Sequence, residues 1–148
     1  MRLISTVCTL AVSLTTVTLL GCQQEPEASA APTGRWYSAE QVAIGRELFQ
    51  THCASCHGDR AQGLAEGWRK TDANGNYPPP PLNGSAHAWH HPKVVLELTI
   101  ANGGAALGGV MPGFDSTLDA DETAATIAYF QSLWSDEIYA RWAEIDAR

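Results

Sequence analysis

The residues of this chain best equipped for chemistry occupy five consecutive positions, Cys53-Ala54-Ser55-Cys56-His57. Two thiols three residues apart can each add to a vinyl group, and a histidine directly after the second is placed to ligate a metal. This is the C-x-x-C-H pattern of covalent haem attachment, in which Cys53 and Cys56 form thioethers and His57 becomes the fifth ligand of the iron. Other uses of the pair fit less well. A thioredoxin-like redox pair follows a buried strand, whereas residues 38–50 read as a helix. Structural zinc needs a second pair of ligands at matched spacing, and the spare histidines His87, His90 and His91 come with no further cysteine. A disulfide between Cys53 and Cys56 leaves His57 unexplained.

The remaining cysteines point away from a disulfide framework. Cys8 lies inside the amino-terminal apolar run and Cys22 at its end. Residues 1–21 have the pattern of a targeting segment, with one cation at Arg2 and then an almost uncharged stretch rich in Leu, Val and Thr. Leu19-Leu20-Gly21-Cys22 resembles the lipobox of bacterial lipoproteins, which makes Cys22 the expected acylated first residue of the mature chain. Leu20 stands where a small residue is usual. Cleavage after Ala28-Ser29-Ala30 is the competing reading, and an uncleaved membrane anchor a third. The first two place the mature protein in the periplasm, bound to a membrane by the lipid or soluble.

Residues 22–34 carry Gln, Glu, Pro, Ala and Thr without apolar periodicity and read as a tether. Residues 35–148 are enough for one domain and too few for two. A core of that size is marginal, and a buried macrocycle would add the missing apolar surface. Nine Lys and Arg against sixteen Asp and Glu give a net charge of −7, and removing Arg2 with the leader takes it one unit further. Such acidity argues against nucleic acid as a partner.

The elements that must carry these groups read as helices. Ser38-Ala39-Glu40-Gln41 fits a capping box, and Val42, Gly45, Phe49 and Cys53 then share one face. Gly45 in a helix interior costs about 1 kcal/mol relative to alanine, a cost explained if another helix crosses there. A second helix runs from Pro92 through Ala101, with Val94, Val95, Leu98 and Ala101 on one face, and Asn102-Gly103-Gly104 ends it. The last starts near Asp119, with Glu122 three residues on, and runs to Trp134; Ile138, Trp142 and Ile145 continue or restart its period. No segment reads as a strand. The connections at residues 60–82 and 105–117 are long and rich in Gly and Pro, and need a surface to pack on, which a haem provides.

Over residues 38–134 the chain resembles the class I c-type cytochromes. Gly45 and Phe49 ahead of Cys53-x-x-Cys56-His57 match that family's first helix, and Ile127-Ala128-Tyr129-Phe130 with Leu133-Trp134 its last. The resemblance implies an all-α cytochrome c fold of three to five helices around one covalently bound haem c. It implies that the first and last helices cross through Gly45 and Tyr129. Pro80-Pro81-Leu82-Asn83-Gly84 is similar to the family's P-x-L-x-G, so the Pro80 carbonyl is expected to bond the other ring nitrogen of His57. Met111-Pro112-Gly113-Phe114 resembles the M-P-x-F segment, which makes Met111 the expected sixth ligand. The other methionine is Met1. Trp89 is a candidate to donate its indole N–H to a haem propionate, or simply to pack. His87, His90 and His91 are rival iron ligands or surface residues.

The sequence shows no nucleophile paired with a base and no nicotinamide or flavin loop. An iron with both axial positions filled has no place for a substrate, so the expected function is a periplasmic one-electron carrier exchanging with redox proteins. A cytochrome subunit of a periplasmic dehydrogenase or terminal oxidase is the alternative. A gas-binding sensor is a third, and requires that Met111 leave the iron.

Overall fold

The computed structural model describes residues 34–148, so the leader, the lipobox and Cys22 lie outside the described residues. The first helix, α1 (Ala39–His52), begins where the capping box places it. The Gln41 N–H donates to Ser38 Oγ at 3.1 Å and the Ser38 N–H to Gln41 Oε1 at 2.9 Å, so two amides with no partner inside the helix are satisfied. One turn, α2 (Ala54–His57), follows almost without a break and carries Cys56 and His57. A long connection leads to a 3₁₀ turn at Ala88–His90 and to α3 (Lys93–Asn102), preceded by Pro92. After a second 3₁₀ turn at Ala105–Leu107 come α4 (Ala120–Ser132), closed at its start by a reciprocal Asp119/Glu122 box, and α5 (Asp136–Asp146). The chain is all-α, with no strand among the described residues.

Gly45 is where α1 and α4 meet. A Cβ on it would stand 1.8 Å from the Ala125 carbonyl oxygen and 2.4 Å from its carbon, so the backbones touch directly and no other residue fits. The crossing lies one turn earlier on α4 than Tyr129. Tyr129 instead packs its ring 5.1 Å from that of Phe49 and donates its hydroxyl to the Asp59 carbonyl at 3.2 Å. Around this contact Phe49, Ile127, Ala128, Phe130, Trp134 and Trp142 form the buried core.

The chain ahead of α1 is clipped to the other end of the domain. The Arg35 guanidinium lies 3.9 Å from the centre of the Tyr139 ring and bonds Asp136, while the Trp36 indole donates to Gln131 Oε1 at 2.7 Å. Asp136 is almost fully exposed, so the ion pair itself is worth under about 1 kcal/mol and the stacking and indole bond matter more.

The helix α3 departs from the periodicity reading. Leu96 and Ile100 are its buried residues, whereas Val94, Val95 and Leu98 are 56%, 37% and 56% exposed. Lys93–Asn102 carries apolar residues on nearly every side, so spacing alone did not single out the inward face. Its last turn closes with the Gly103 N–H donating to the Thr99 carbonyl at 2.9 Å, and its end is secured from a distance by the Phe114 N–H, which donates to the Ile100 carbonyl at 3.0 Å. The segment that follows Met111 is thereby tied to α3.

Candidate haem site

His57 closes α2 with its side chain buried, 6% exposed. Its Nδ1 lies 2.8 Å from the Pro80 carbonyl oxygen. A carbonyl only accepts, so Nδ1 carries the proton and the lone pair sits on Nε2. Burial lowers the pKa of His57, and the Pro80 bond opposes this only in part, so the ring is neutral at pH 7 and able to ligate. The Pro80 segment is itself fixed. The Leu82 and Asn83 N–H groups donate to the Ala61 carbonyl at 2.7 and 3.1 Å, and the Trp134 indole donates to the Leu82 carbonyl at 2.7 Å.

Cys53 is half-buried and Cys56 exposed, and both thiols are free. Burial, with the neighbouring Cys56 adding to it, pushes the Cys53 thiol up to about 11, so it stays protonated at neutral pH. The helical turn carries the residues three apart on one side, next to His57. No group of three or more His, Cys, Asp or Glu converges as a metal cage among the described residues, so the zinc alternative finds no ligand set there.

His57 opens onto a cavity of about 540 Å³. Pro80 and Leu82 form one part of its wall, Leu96 and Ile100 of α3 another, and Phe130 of α4 a third. Met111, half-buried against the core, completes it. Leu107 and Val110 also line the cavity although they are 71% and 55% exposed, an apolar rim of the kind that a flat macrocycle covers. Volume, apolar walls and the neutral, tautomer-fixed imidazole of His57 suit a haem.

The Met111 loop is held by its backbone. The Gly104 N–H donates to the Met111 carbonyl at 2.9 Å, and the Gly109 N–H to the Gly104 carbonyl at 3.0 Å. Gly103 has φ +80°, and a Cβ there would stand 2.6 Å from the Met111 carbonyl oxygen, so glycine is required for the loop to turn back so closely.

Of the residues singled out in the sequence, His57, Pro80 and Met111 thus meet at one cavity, and Cys53 and Cys56 flank it on the chain. Trp89 does not. It packs on the core beside His90, with ring centres 3.8 Å apart, and is not among the residues of the cavity wall. Trp68 lines the cavity in its place, together with Arg69, His87 and His91. Trp68 and Arg69 lie in a connection without periodicity, where nothing local marks them.

The cytochrome c family model matches residues 42–134, a stretch that begins within α1, ends just past α4 and holds every group just described. The chain belongs to the cytochrome c family. Its fold is the all-α cytochrome c fold, its cofactor is a covalently bound haem c with iron, and its role is haem electron transfer. It is 38% identical over 98 residues to the Cbb3-type cytochrome c oxidase subunit CcoP of Azospirillum sp. (strain B510), a match covering 66% of this chain. The chain spans only 30% of that relative's length. No solved structure matches. Among the described residues, no helix is long and apolar enough to cross a membrane.

Proposed function

We propose that this cytochrome c is a periplasmic one-electron carrier whose single haem is bound through Cys53 and Cys56 and ligated by His57 and Met111. The observation that carries this reading is the convergence of a tautomer-fixed imidazole and the Met111 segment on one apolar cavity. Held there, a haem iron would supply one-electron chemistry, and histidine with methionine as its ligands would favour the ferrous state. The protein's own part is positioning. The Pro80 carbonyl fixes the ring of His57 and raises its basicity, and the bonds from Gly104 and Phe114 keep the Met111 loop against α3. The apolar walls exclude water, and the exposed Leu107 and Val110 mark the rim nearest to a partner.

The test is direct. Protease digestion of the purified protein should yield the peptide containing Cys53 to His57 with haem mass added through both sulfurs. A peptide with two unmodified thiols would overturn the attachment.

The likeness to an oxidase subunit favours a second reading, in which the domain works as the electron inlet of a periplasm-facing oxidase complex rather than as a freely diffusing carrier. Isolation from gently solubilised membranes separates the two, since the carrier migrates alone and the subunit with its complex. For the amino terminus we propose a lipid anchor at Cys22. Cys22→Ala should shift the protein from the membrane to the soluble fraction or leave its leader uncut, and an unmodified mature terminus at Ala31 in the parent would contradict the anchor.

A further inference from the structure

One residue that supports the site is strained. Ala61 is the sole non-glycine residue with a positive φ among the described residues, at 55°, and it is fully buried, at 0% exposure. A residue with a Cβ rarely adopts this left-handed conformation, and it persists only where the surroundings hold it. Such restraints are present on both sides. The Asp59 carbonyl accepts from Gln50 Nε2 of α1 at 2.7 Å and from the Tyr129 hydroxyl of α4 at 3.2 Å. The Arg60 N–H donates to Gln62 Oε1 at 2.8 Å, the Ala61 N–H to the Gly58 carbonyl at 2.9 Å, and the Gly63 N–H returns to the His57 carbonyl at 2.7 Å. Residues 58–63 are therefore a turn closed on the backbone of His57 and pinned to two helices.

What this turn presents is the Ala61 carbonyl, which accepts both the Leu82 and the Asn83 N–H, at 2.7 and 3.1 Å. Two residues before Leu82, the Pro80 carbonyl accepts the Nδ1–H of His57 at 2.8 Å. The bonds thus form a closed circuit that leaves the backbone of His57, passes through Ala61 to the Pro80 segment and returns to the ring of His57. Gly63 adds a direct contact to it, since a Cβ there would stand 3.0 Å from Pro81 Cδ. Ala61 itself is not among the residues of the cavity wall. Its influence on a metal held by His57 must therefore pass through the circuit.

We propose that Ala61 is a positioning residue for His57: its left-handed turn holds the Pro80 carbonyl on Nδ1 and so sets how strongly the imidazole donates to iron. This rests on the haem reading above. An imidazole whose Nδ1–H is bonded to a carbonyl is the more basic ligand. A more basic ligand favours ferric over ferrous iron, so the circuit holds the reduction potential down. Turning Ala61 to a negative φ would re-aim its carbonyl and release the two amides, and the Pro80 carbonyl would lose its place against the ring. The strain at Ala61 and the bond at Nδ1 are then two ends of one arrangement, and a change that relaxes the first weakens the second.

The experiment compares the haem-loaded parent with Ala61→Gly and Ala61→Val by potentiometric titration and by NMR of the reduced protein. Glycine takes a positive φ freely and keeps the carbonyl, so the potential and the His57 Nδ1 proton signal should match the parent. Valine, β-branched, disfavours a positive φ. Its potential should rise by on the order of a tenfold change in the ferric-to-ferrous preference, about 59 mV for a one-electron couple, and its Nδ1 proton should lose protection from solvent exchange. A valine variant with the parent's potential and Nδ1 signal overturns the proposal. So does a glycine variant whose potential shifts as far, because the lost methyl and not the turn is then responsible. The parent alone gives a second reading, which holds even where the valine variant does not fold. In hydrogen exchange under small additions of denaturant, the Leu82 and Asn83 amides and the His57 Nδ1 proton should be released by one common opening. An Nδ1 proton that exchanges while both amides stay protected overturns the proposal. Failure of the haem reading is distinct, because a chain without attached haem gives no redox couple in any variant.

Discussion

Replacing Met111 with alanine should leave the haem attached and open the iron to external ligands. On the proposed attachment the haem is carried by Cys53, at the junction of α1 and α2, and by Cys56 on α2, while Met111 belongs to the loop bound to the end of α3. The two functions are therefore separable by mutation. With Met111 as the proposed sixth ligand, carbon monoxide must compete with it in the parent and binds only the fraction of molecules in which the thioether has left. If that open fraction is on the order of 0.1–10%, its apparent affinity for the reduced protein should rise on the order of 10- to 1,000-fold in Met111→Ala. The reduction potential should fall in the same variant, because thioether stabilisation of ferrous iron is lost. Spectrophotometric carbon monoxide titration and a potentiometric titration read the two effects. If the parent already binds carbon monoxide as tightly as the variant, Met111 is not the sixth ligand and a gas-binding role replaces electron transfer.

Gly45→Val should produce the largest loss of stability of any substitution on α1. The added atoms would occupy the space of the Ala125 carbonyl, so α1 and α4 must separate or tilt. Overpacking of this kind costs about 3 kcal/mol, and separating the helices also loosens Phe49 against Tyr129. For a domain of this size the melting temperature should drop on the order of 10 °C. Ala43→Val, at an exposed position of the same helix, is the control for β-branching and should cost only about 0.5 kcal/mol. Thermal melts of the two haem-loaded variants that coincide would show that the helices do not meet at Gly45.

What could be read from the chain alone followed the range of each signal. The starts of α1 and α4 depend on residues three apart, Ser38 with Gln41 and Asp119 with Glu122, and both capping boxes are present. Gly45 was legible because a glycine inside a helix is costly and needs a reason. The inward face of α3 was not, since Val94 and Leu98 are as apolar as Leu96 and Ile100 and only the position of the cavity distinguishes them, while Val95, although 37% exposed, lines the cavity with the buried pair. The same limit applies to the cavity edge. Trp68 and His87 stack although they are distant in sequence, and no local pattern pairs them, whereas Trp89, next to two histidines in sequence, packs beside His90 and outside the cavity wall. Residues that the loops bring together carry no periodicity to announce it.

The contact between Gly45 and Ala125 also sets the order in which the chain can fold. Its two sides are about 80 residues apart, and closing a loop of that length costs about 4 kcal/mol of chain entropy before any burial offsets it. An amino-terminal portion that ends before α4 lacks Ala125, Ile127 and Phe130, so α1 has nothing to cross and Phe49 no ring to meet. During synthesis the Cys53 to His57 turn thus emerges well before the helix that α1 must cross. It is the last long helix but one, α4, that turns an open chain with two free thiols into a closed domain, and the interval before its arrival is when those thiols are easiest to reach.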